Sequence, residues 1–439
     1  MLRPTSSLTA FALCMLALCV DATPAQPPAA PPDRSGEQLQ FVVYLSRHGV
    51  RSPTDKNSKY NAYSSAPWPE WTVPPGYLTA HGYRLMTIFG AYDRARLAAD
   101  GLWAPTGCAD AAHVSIVADS DQRTRETGKA LAEGMFPGCT LDVQTRPEGV
   151  TDPLFHSMHD GVAPPERALA AAAVAGRIGG DPNDLTEAYR PQLSALDKIL
   201  SGCGRTGVTN RNRVSLFDVP TIDSQGEGDH AATLRGPLTV ASTLSENLLL
   251  EFTEGMAGTN LGWGCLDESA LRHVMQLHTA AADLTHRTPF VARMSASNLL
   301  AHILMAMEQN ATGQPVLGAP GKPGDRALFL VGHDTNIATV AGALRLNWVI
   351  DGRRDDTPPG GALVFSLWRS RADGKFLVRV NFTAQTLDQM RNATALTVDS
   401  PLPQAPVFVP TCSRQDLACT LEDFASAVHS AIDPAYIKK

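Results

Sequence analysis

Two arginines flank a histidine near the start of the chain, at a spacing suited to a phosphate group. Arg47, His48 and Arg51 lie in the segment Arg-His-Gly-Val-Arg. Guanidinium groups stay charged and present a planar fork of N–H donors that matches phosphate oxygens. The imidazole between them can act as a nucleophile on phosphorus or as a general base. The alternative is a surface loop with two solvated arginines, since so short a motif carries a false-positive risk.

Two later segments carry the same kinds of side chain. Asp119 is followed four residues later by Arg123, and His333 is followed directly by Asp334. Arg123 opens a predicted amphipathic helix, where free backbone N–H groups favour anions. A solvated surface arginine is the alternative interpretation of Arg123 taken alone.

Each of these three segments follows an apolar run that predicts a buried strand. The runs are 39–45, 113–118 and 327–331, and helical patterns follow the second and third directly. The carboxyl ends of parallel strands meet at one edge of an open α/β sheet, where ligands bind. The sequence therefore predicts an α/β fold with a doubly wound, mostly parallel sheet flanked by helices. Two further strand candidates, 361–368 and 375–382, complete this sheet.

The middle of the chain has a different texture. Residues 151–286 contain Ala-rich and Leu-rich helical stretches and few strand signals. They predict a mostly helical domain inserted between two halves of the α/β domain, residues 39–150 and 287–439. Residues 26–38 form a Pro- and Ala-rich lead-in to the first strand.

The first 25 residues have the features of an export signal. Arg3 supplies a positive charge, residues 8–20 form a short apolar core, and small residues follow. This core is too short to span a bilayer, and no other stretch approaches eighteen consecutive apolar residues. We therefore predict a periplasmic or secreted protein that has no membrane association after cleavage, with a retained membrane anchor as the alternative. The net charge of −7 predicts no basic face for nucleic acid.

Six cysteines lie outside the signal, at positions 108, 139, 203, 265, 412 and 419. An even number in an exported chain favours disulfides over metal ligation. Nearness in sequence suggests the pairs Cys108–Cys139 and Cys412–Cys419, which leaves Cys203–Cys265, although sequence alone does not determine the pairing. No Cys-x-x-Cys or His-x-x-x-His spacing argues for zinc.

Taken together, the three polar segments resemble the histidine acid phosphatase family, most closely its bacterial periplasmic acid phosphatase/phytase branch. The likeness covers most of the mature chain and extends to Trp68-Pro69-x-Trp71, Gly262-Trp263-Gly264 and Arg287-Thr288-Pro289. It implies a phosphoglycerate-mutase-like fold and a phosphatase activity.

The resemblance also implies roles for individual residues. His48 matches the family nucleophile, which forms a phosphohistidine that water then hydrolyses. Asp334 matches the general acid that protonates the leaving alcohol, and this role implies an acidic pH optimum. The residues that match phosphate ligands are Arg47, Arg51, Arg123 and His333. No metal or cofactor is expected, because the arginines neutralise the phosphate charge.

Substrate choice is less well defined by the motifs. Gly49 and the string Arg-Ser-Pro-Thr at 51–54 look more like phytase-type members than glucose-1-phosphatase-type ones. Asp55 is an extra residue relative to that pattern, so the match of Lys56 is shifted. The residues that fall where phytase-type members contact substrate are Thr54, Lys56, Asp119, Glu246 and Arg287.

These observations predict an exported, metal-independent acid phosphomonoesterase that acts on a small phosphomonoester. Phytase, meaning inositol hexakisphosphate phosphohydrolase, and broad-specificity acid phosphatase are the two forms of this hypothesis, and a monomer is expected. A glucose-1-phosphatase-like enzyme is the alternative. A phosphomutase is disfavoured by the export signal. A non-catalytic phosphate-ester-binding protein is disfavoured by the presence of both His48 and Asp334, because binding alone needs only the arginines.

Overall fold

The computed structural model describes residues 36–158, 162, 164–179, 181–204, 210, 212–228 and 230–438. The strands are β1 (Glu37–Arg47), β2 (Val114–Ala118), β3 (Val143–Gln144), β4 (Ile222–Gln225), β5 (Ala232–Arg235), β6 (Ala327–Gly332), β7 (Val349–Ile350), β8 (Arg353–Arg354), β9 (Ala362–Ser370), β10 (Phe376–Thr383), β11 (Gln404–Val407) and β12 (Ala418–Thr420). The α-helices are α1 (Asn57–Tyr60), α2 (Ala80–Ala99), α3 (Gln122–Met135), α4 (Arg167–Ile178), α5 (Asp184–Ala188), α6 (Arg190–Leu200), α7 (Pro237–Thr253), α8 (Glu268–Thr285), α9 (Pro289–Thr312), α10 (Asp334–Leu344), α11 (Leu387–Asn392) and α12 (Leu421–Ala431).

The centre of the fold is an eight-stranded sheet. Its strand order is β11-β10-β9-β1-β6-β2-β3, and β12 also pairs with β10. Strands β1, β6, β2 and β3 are parallel neighbours, whereas β9 and β10 add antiparallel pairs beside β1. Because β10 again runs in the direction of β1, five of the eight strands share one direction. The predicted α/β fold with a mostly parallel sheet is confirmed.

The sheet is buried on both faces, as β1 shows. Phe41, Val43 and Leu45 lie in one apolar cluster together with residues of α9, α10 and α12. Val42 and Tyr44, on the opposite face, lie in a second cluster with residues of α2 and α3. Side chains of a strand alternate between faces, so an unbroken apolar run fits a sheet covered by helices on both sides.

The elements between Arg167 and Thr285 are helices α4 to α8 and the hairpin of β4 and β5. Leucines of α6, α7 and α8 share an apolar cluster with Leu85 of α2. These elements are mainly helices, as the sequence of residues 151–286 predicts. The proposed domain boundaries stay predictions.

Helix α9 is the one helix in the described ranges that is long and apolar enough to cross a membrane by length and composition. However, 72% of its most apolar window is buried inside the protein. A core helix of a globular protein has this burial. The predicted export signal, residues 1–25, and positions 26–35 of the lead-in lie outside the described residues.

Two of the three predicted disulfides are present. Cys108 is bonded to Cys139 and Cys412 to Cys419, with Cα–Cα distances of 5.5 and 5.1 Å. The predicted Cys203–Cys265 pair is wrong, because no disulfide joins these two cysteines in the described structure. The Sγ atom of Cys265 instead faces the backbone carbonyl of Trp263 at 3.9 Å, and Cys203 has a left-handed backbone with a φ of 53°. This pair was reached by elimination alone, and elimination carries no information on whether two cysteines lie close together in the fold.

A buried carboxyl group beneath the sheet gives the fold a pH dependence. The hydroxyl of Tyr44 donates to Oδ1 of Asp93 at 3.0 Å, and Nη2 of Arg96 donates to the same hydroxyl at 2.6 Å. Asp93 is 1% exposed. Burial raises the pKa of its carboxyl to about 7 and outweighs the opposing effect of Arg96.

The Asp93→Asn variant should therefore become more stable relative to the wild type as pH rises. The pKa of Asp93 in the unfolded chain is about 3.9, so the wild type loses stability between about pH 4 and pH 7, where only the folded state keeps this proton. Thermal unfolding of both proteins across that range measures the difference. Exposed Asp142→Asn is the control, and a difference that does not depend on pH would contradict the prediction.

Candidate active site

The end of β1 lies beside the end of β6, and this pairing brings two histidines together. Arg47 is the register partner of Gly332 in the parallel ladder, and the next residues of the two strands are His48 and His333. The backbone N–H of His48 donates to the carbonyl of Gly332 at 3.0 Å. The two imidazole rings are 5.6 Å apart between centroids and meet edge to face.

The end of β2 supplies Asp119 in the same way. Ala118 pairs with Val331, and the backbone N–H of Asp119 donates to the Val331 carbonyl at 3.0 Å. The carboxylate Oδ2 of Asp119 accepts from Nε2 of His333 at 2.7 Å. Three consecutive parallel strands thus deliver three polar side chains to one sheet edge, as the sequence predicted.

Arg123 reaches this edge from the first turn of α3. Its Nη2 lies 3.4 Å from Nδ1 of His333 and 2.6 Å from Oδ2 of Asp121. On the other side of His333, Asp334 is the first residue of α10 and His333 is the N-cap. A carboxylate in the first turn of a helix is stabilised by the helix dipole.

The carboxylate of Glu246, from the helical middle of the chain, contacts the two arginines of the first motif. Oε1 of Glu246, on α7, accepts from Nη2 of both Arg47 and Arg51, and the Arg51 contact is 3.1 Å long. Arg47 Nη2 also lies 3.4 Å from Oδ2 of Asp334, and its Nη1 donates to the carbonyl of Thr357 at 2.6 Å. The two guanidiniums therefore share one carboxylate in the position where an anionic ligand would bind.

The electrostatics of the cluster keep His48 neutral. Burial, followed by the charges of Arg123, Arg47 and Arg51, lowers the pKa of His48 well below its usual value. Its Nδ1 is 2.9 Å from the carbonyl of Gly49. A carbonyl can only accept, so Nδ1 carries the proton and Nε2 keeps the lone pair. The atom that can attack phosphorus is Nε2.

The carboxyl groups have lowered pKa values in spite of burial. Burial raises the pKa of Asp334, but the charge of Arg47 leads the opposing effects and holds it below its ordinary value. Burial likewise acts against Glu246, whose pKa is lowered by Arg51 and Arg47. For Asp119, hydrogen bonds from His156 and His333 overcome the burial effect and lower the pKa. Each carboxylate is thus paired with a donor, as buried charges require.

The cluster contains eight of the eleven residues singled out in the sequence, and three lie apart from it. Thr54 and Lys56 are exposed, and Thr54 lies near Gly76, whose carbonyl accepts from Nη1 of Arg123 at 3.5 Å. The guanidinium of Arg287 is buried, and its Nη2 donates to the carbonyl of Leu346 at 2.5 Å. The residues brought together are Arg47, His48, Arg51, Asp119, Arg123, Glu246, His333 and Asp334.

Two histidines of the cluster were missed in the sequence. Nε2 of His156 is 2.7 Å from Oδ2 of Asp119, and Nε2 of His278 is 3.9 Å from Oδ2 of Asp334. His156 lies in an irregular turn segment and His278 on α8. Neither position has a periodic or motif signal, so only the tertiary structure reveals them.

A comparison of the sequence with known families identifies the class of protein that carries this site. Residues 38–383 match the model of the histidine phosphatase superfamily, branch 2. The chain therefore belongs to this family, and the resemblance drawn from its three polar segments is confirmed.

Individual relatives lie within the same group. The chain is similar to phytase AppA from Escherichia coli (strain K12), with 35% identity over 91% of this chain and 93% of the relative. It is also similar to a glucose-1-phosphatase from Providencia rettgeri, with 27% identity over 95% and 99% of the two chains. Among solved structures, a Hafnia alvei phytase in complex with tartrate superposes with a TM-score of 0.84 and 34% identity, over 92% of this chain and all of that one.

The shared carboxylate generates the first prediction for the site. Because Glu246 holds the same guanidinium groups that an anion would contact, Glu246→Gln removes a competing negative charge. We expect the variant to bind inorganic phosphate about tenfold more tightly. Two unit charges a few ångströms apart in a partly buried site have an interaction energy of kilocalories per mole, so removing the repulsion is enough for such a change. The inhibition constant of phosphate, or its direct calorimetric binding, measures the change.

Exposed Glu70→Gln is the matched control and should bind phosphate like the wild type. If the Glu246→Gln variant instead bound phosphate more weakly, the carboxylate would be required to hold the arginines in place, and the competition described here would be wrong.

Proposed function

We propose that the protein is an exported acid phosphomonoesterase that acts through a phosphohistidine, with inositol hexakisphosphate as its preferred substrate. The observation that carries the proposal is the buried His48 imidazole at the edge of the parallel sheet, whose Nδ1 donates to the Gly49 carbonyl and whose pKa is lowered by burial and by the charges of Arg123, Arg47 and Arg51. An uncharged nucleophile surrounded by fixed cations suits a phosphate dianion. The matching relatives, a phytase and glucose-1-phosphatases, support the class of reaction.

The residues have complementary tasks in this reaction. Nε2 of His48 attacks phosphorus, the bond to the ester oxygen breaks, and that oxygen takes a proton from Asp334 as the alcohol leaves. Water then attacks the phosphohistidine, gives its proton to the Asp334 carboxylate, and releases phosphate and free His48. Arg47, Arg51 and Arg123 stabilise charge on the oxygens that do not react.

Asp334 must be protonated for the first step. In the free protein the neighbouring arginine charge lowers its pKa, whereas a bound phosphate adds negative charge and raises it again. The substrate thus promotes protonation of its own acid, and the reaction is favoured at acidic pH. Nε2 of His333 donates to Asp119, so His333 can donate to phosphate through Nδ1 only when its ring is protonated, which a bound phosphate dianion favours.

Export is supported by the two disulfides, which persist in oxidising compartments, and by the signal-like first 25 residues. We therefore place the mature enzyme in the periplasm or outside the cell.

The choice between phytate and glucose 1-phosphate rests on the motif around Arg51 and on the 35% identity to a phytase. Glucose-1-phosphatase is the second candidate. Arg287 is hydrogen-bonded to the Leu346 carbonyl, away from the cluster, and Lys56 is exposed. Both residues match positions where phytase-type members contact substrate. A substrate with a single phosphate would not need them.

The general acid can be tested by changing the leaving group. Asp334→Asn should lower turnover on phytate and on glucose 1-phosphate by about 10²–10⁴-fold, the usual contribution of a positioned acid. Turnover on p-nitrophenyl phosphate should fall far less, because nitrophenolate leaves without a proton. Steady-state kinetics on the three substrates measure the ratio. His48→Ala is the control and should abolish activity on all of them, and an equal loss for every substrate in Asp334→Asn would contradict the acid role.

Substrate class is tested with the oxidised mature chain, residue 26 onward, by phosphate release at about pH 5, where a carboxylic acid stays partly protonated. We expect the highest kcat/KM on phytate and no loss with EDTA, since arginines rather than a metal hold the phosphate. Highest efficiency on glucose 1-phosphate would favour the second candidate. Loss of activity with EDTA would refute the metal-independent mechanism.

A further inference from the structure

Three side chains behind the proposed phosphate contact form a set of metal-binding donors. Asp119, His156 and His333 offer a carboxylate oxygen and two imidazole nitrogens that all lie within 4.8 Å of one another. Nε2 of each histidine is 2.7 Å from the same oxygen, Oδ2 of Asp119. The residues come from the end of β2, an irregular turn and the N-cap of α10, so the tertiary fold assembles the set.

A second observation shows that Asp119 has unused capacity to bind a ligand. Its side chain is fully buried, yet its Oδ1 has no hydrogen-bond partner among the described residues. A buried carboxylate oxygen without a partner is costly, because it has lost water and gained nothing in exchange. A cation beside this carboxylate would remove that cost.

We propose that Asp119, His156 and His333 bind a divalent transition-metal ion of the zinc type. Two imidazole nitrogens and one carboxylate oxygen are ligands that Zn²⁺ accepts in a tetrahedral site, with a fourth position left for water. The metal–ligand distances would be about 2.0–2.2 Å, so the two nitrogens must each move away from Oδ2 by a fraction of an ångström. Each histidine then binds through Nε2 and carries its ring proton on Nδ1. Nη2 of Arg123, which lies 3.4 Å from Nδ1 of His333, would have to turn away from that proton.

The local charge permits a cation here. The carboxylate of Asp121 lies 3.6 Å from Nε2 of His333 but is paired with Arg123 at 2.6 Å, so the negative charge of Asp119 is the one left to a metal ion. Another donor set, Glu246, His278 and Asp334, occurs on the opposite side of the site. Arg47 contacts both carboxylates of that second set. Its guanidinium occupies their lone pairs and repels a metal ion, so the set around Asp119 is the better site.

The proposed ion takes no part in the proposed phosphoryl transfer, although its site shares Asp119 and His333 with the phosphatase site; His156 belongs to the metal set alone. The test therefore reads metal binding directly. Calorimetric titration of Zn²⁺ into the metal-free mature chain should show one tight ion per chain, and Co²⁺ should give the visible absorption bands of a tetrahedral ion. His156→Asn should weaken the binding at least tenfold, because one of three protein ligands is lost.

His278→Asn is the matched control and should bind Zn²⁺ like the wild type. His156→Cys should restore tight binding and add a thiolate-to-Co²⁺ absorption band, which a merely structural effect of position 156 would not produce. Circular dichroism confirms that each variant is folded. Equal Zn²⁺ binding by His156→Asn and the wild type, or loss of the ion in His278→Asn alone, would overturn the proposal. Because no step of the assay depends on turnover, failure of the phosphatase proposal would leave this result intact.

Discussion

The register between β1 and β6 is the constraint on which the site depends. Arg47 opposite Gly332 makes His48 and His333 the first residues beyond two neighbouring strand ends. A slip of one residue would turn every side chain of β1 to the other face of the sheet. The apolar side chains prevent it, because Val43 and Leu45 fill one core cluster while Val42 and Tyr44 fill the other. The packing of the sheet thus determines the spacing of the two imidazoles.

Concentrating arginines at a buried edge is costly unless their charges are matched. Glu246 pairs with Arg47 and Arg51, and Asp121 pairs with Arg123. These carboxylates occupy the N–H donors that a phosphate would use. In the proposed reaction, an incoming phosphate would therefore exchange these ion pairs for its own contacts with the arginines.

Much of this site could be predicted because its determinants are local in the sequence. Buried apolar runs at 39–45 and 327–331 predicted the strands found at Glu37–Arg47 and Ala327–Gly332, and the polar residues directly after them had to meet at the sheet edge. His156 and His278 could not be predicted, since each reaches the site through the packing of segments that have no motif. Arg287 shows that a matching sequence context does not by itself bring a side chain to the site. Its sequence context matched a substrate contact, yet the structure holds its guanidinium against Leu346 and over the ring of Trp348.

The antiparallel strand β9 contributes to the site as directly as the parallel strands do. The backbone N–H of Arg47 donates to the carbonyl of Gly361 at 2.9 Å, and the N–H of Gly360 donates to the carbonyl of His48 at the same distance. Gly360 has a φ of 75°, a left-handed backbone conformation that favours glycine because other residues are strained there. The loop before β9 also supplies the Thr357 carbonyl that holds the Arg47 side chain. The backbone of the proposed nucleophile is therefore held on both sides, by Gly332 at the end of β6 and by Gly360 and Gly361 before β9, while the Gly49 carbonyl orients its ring through Nδ1.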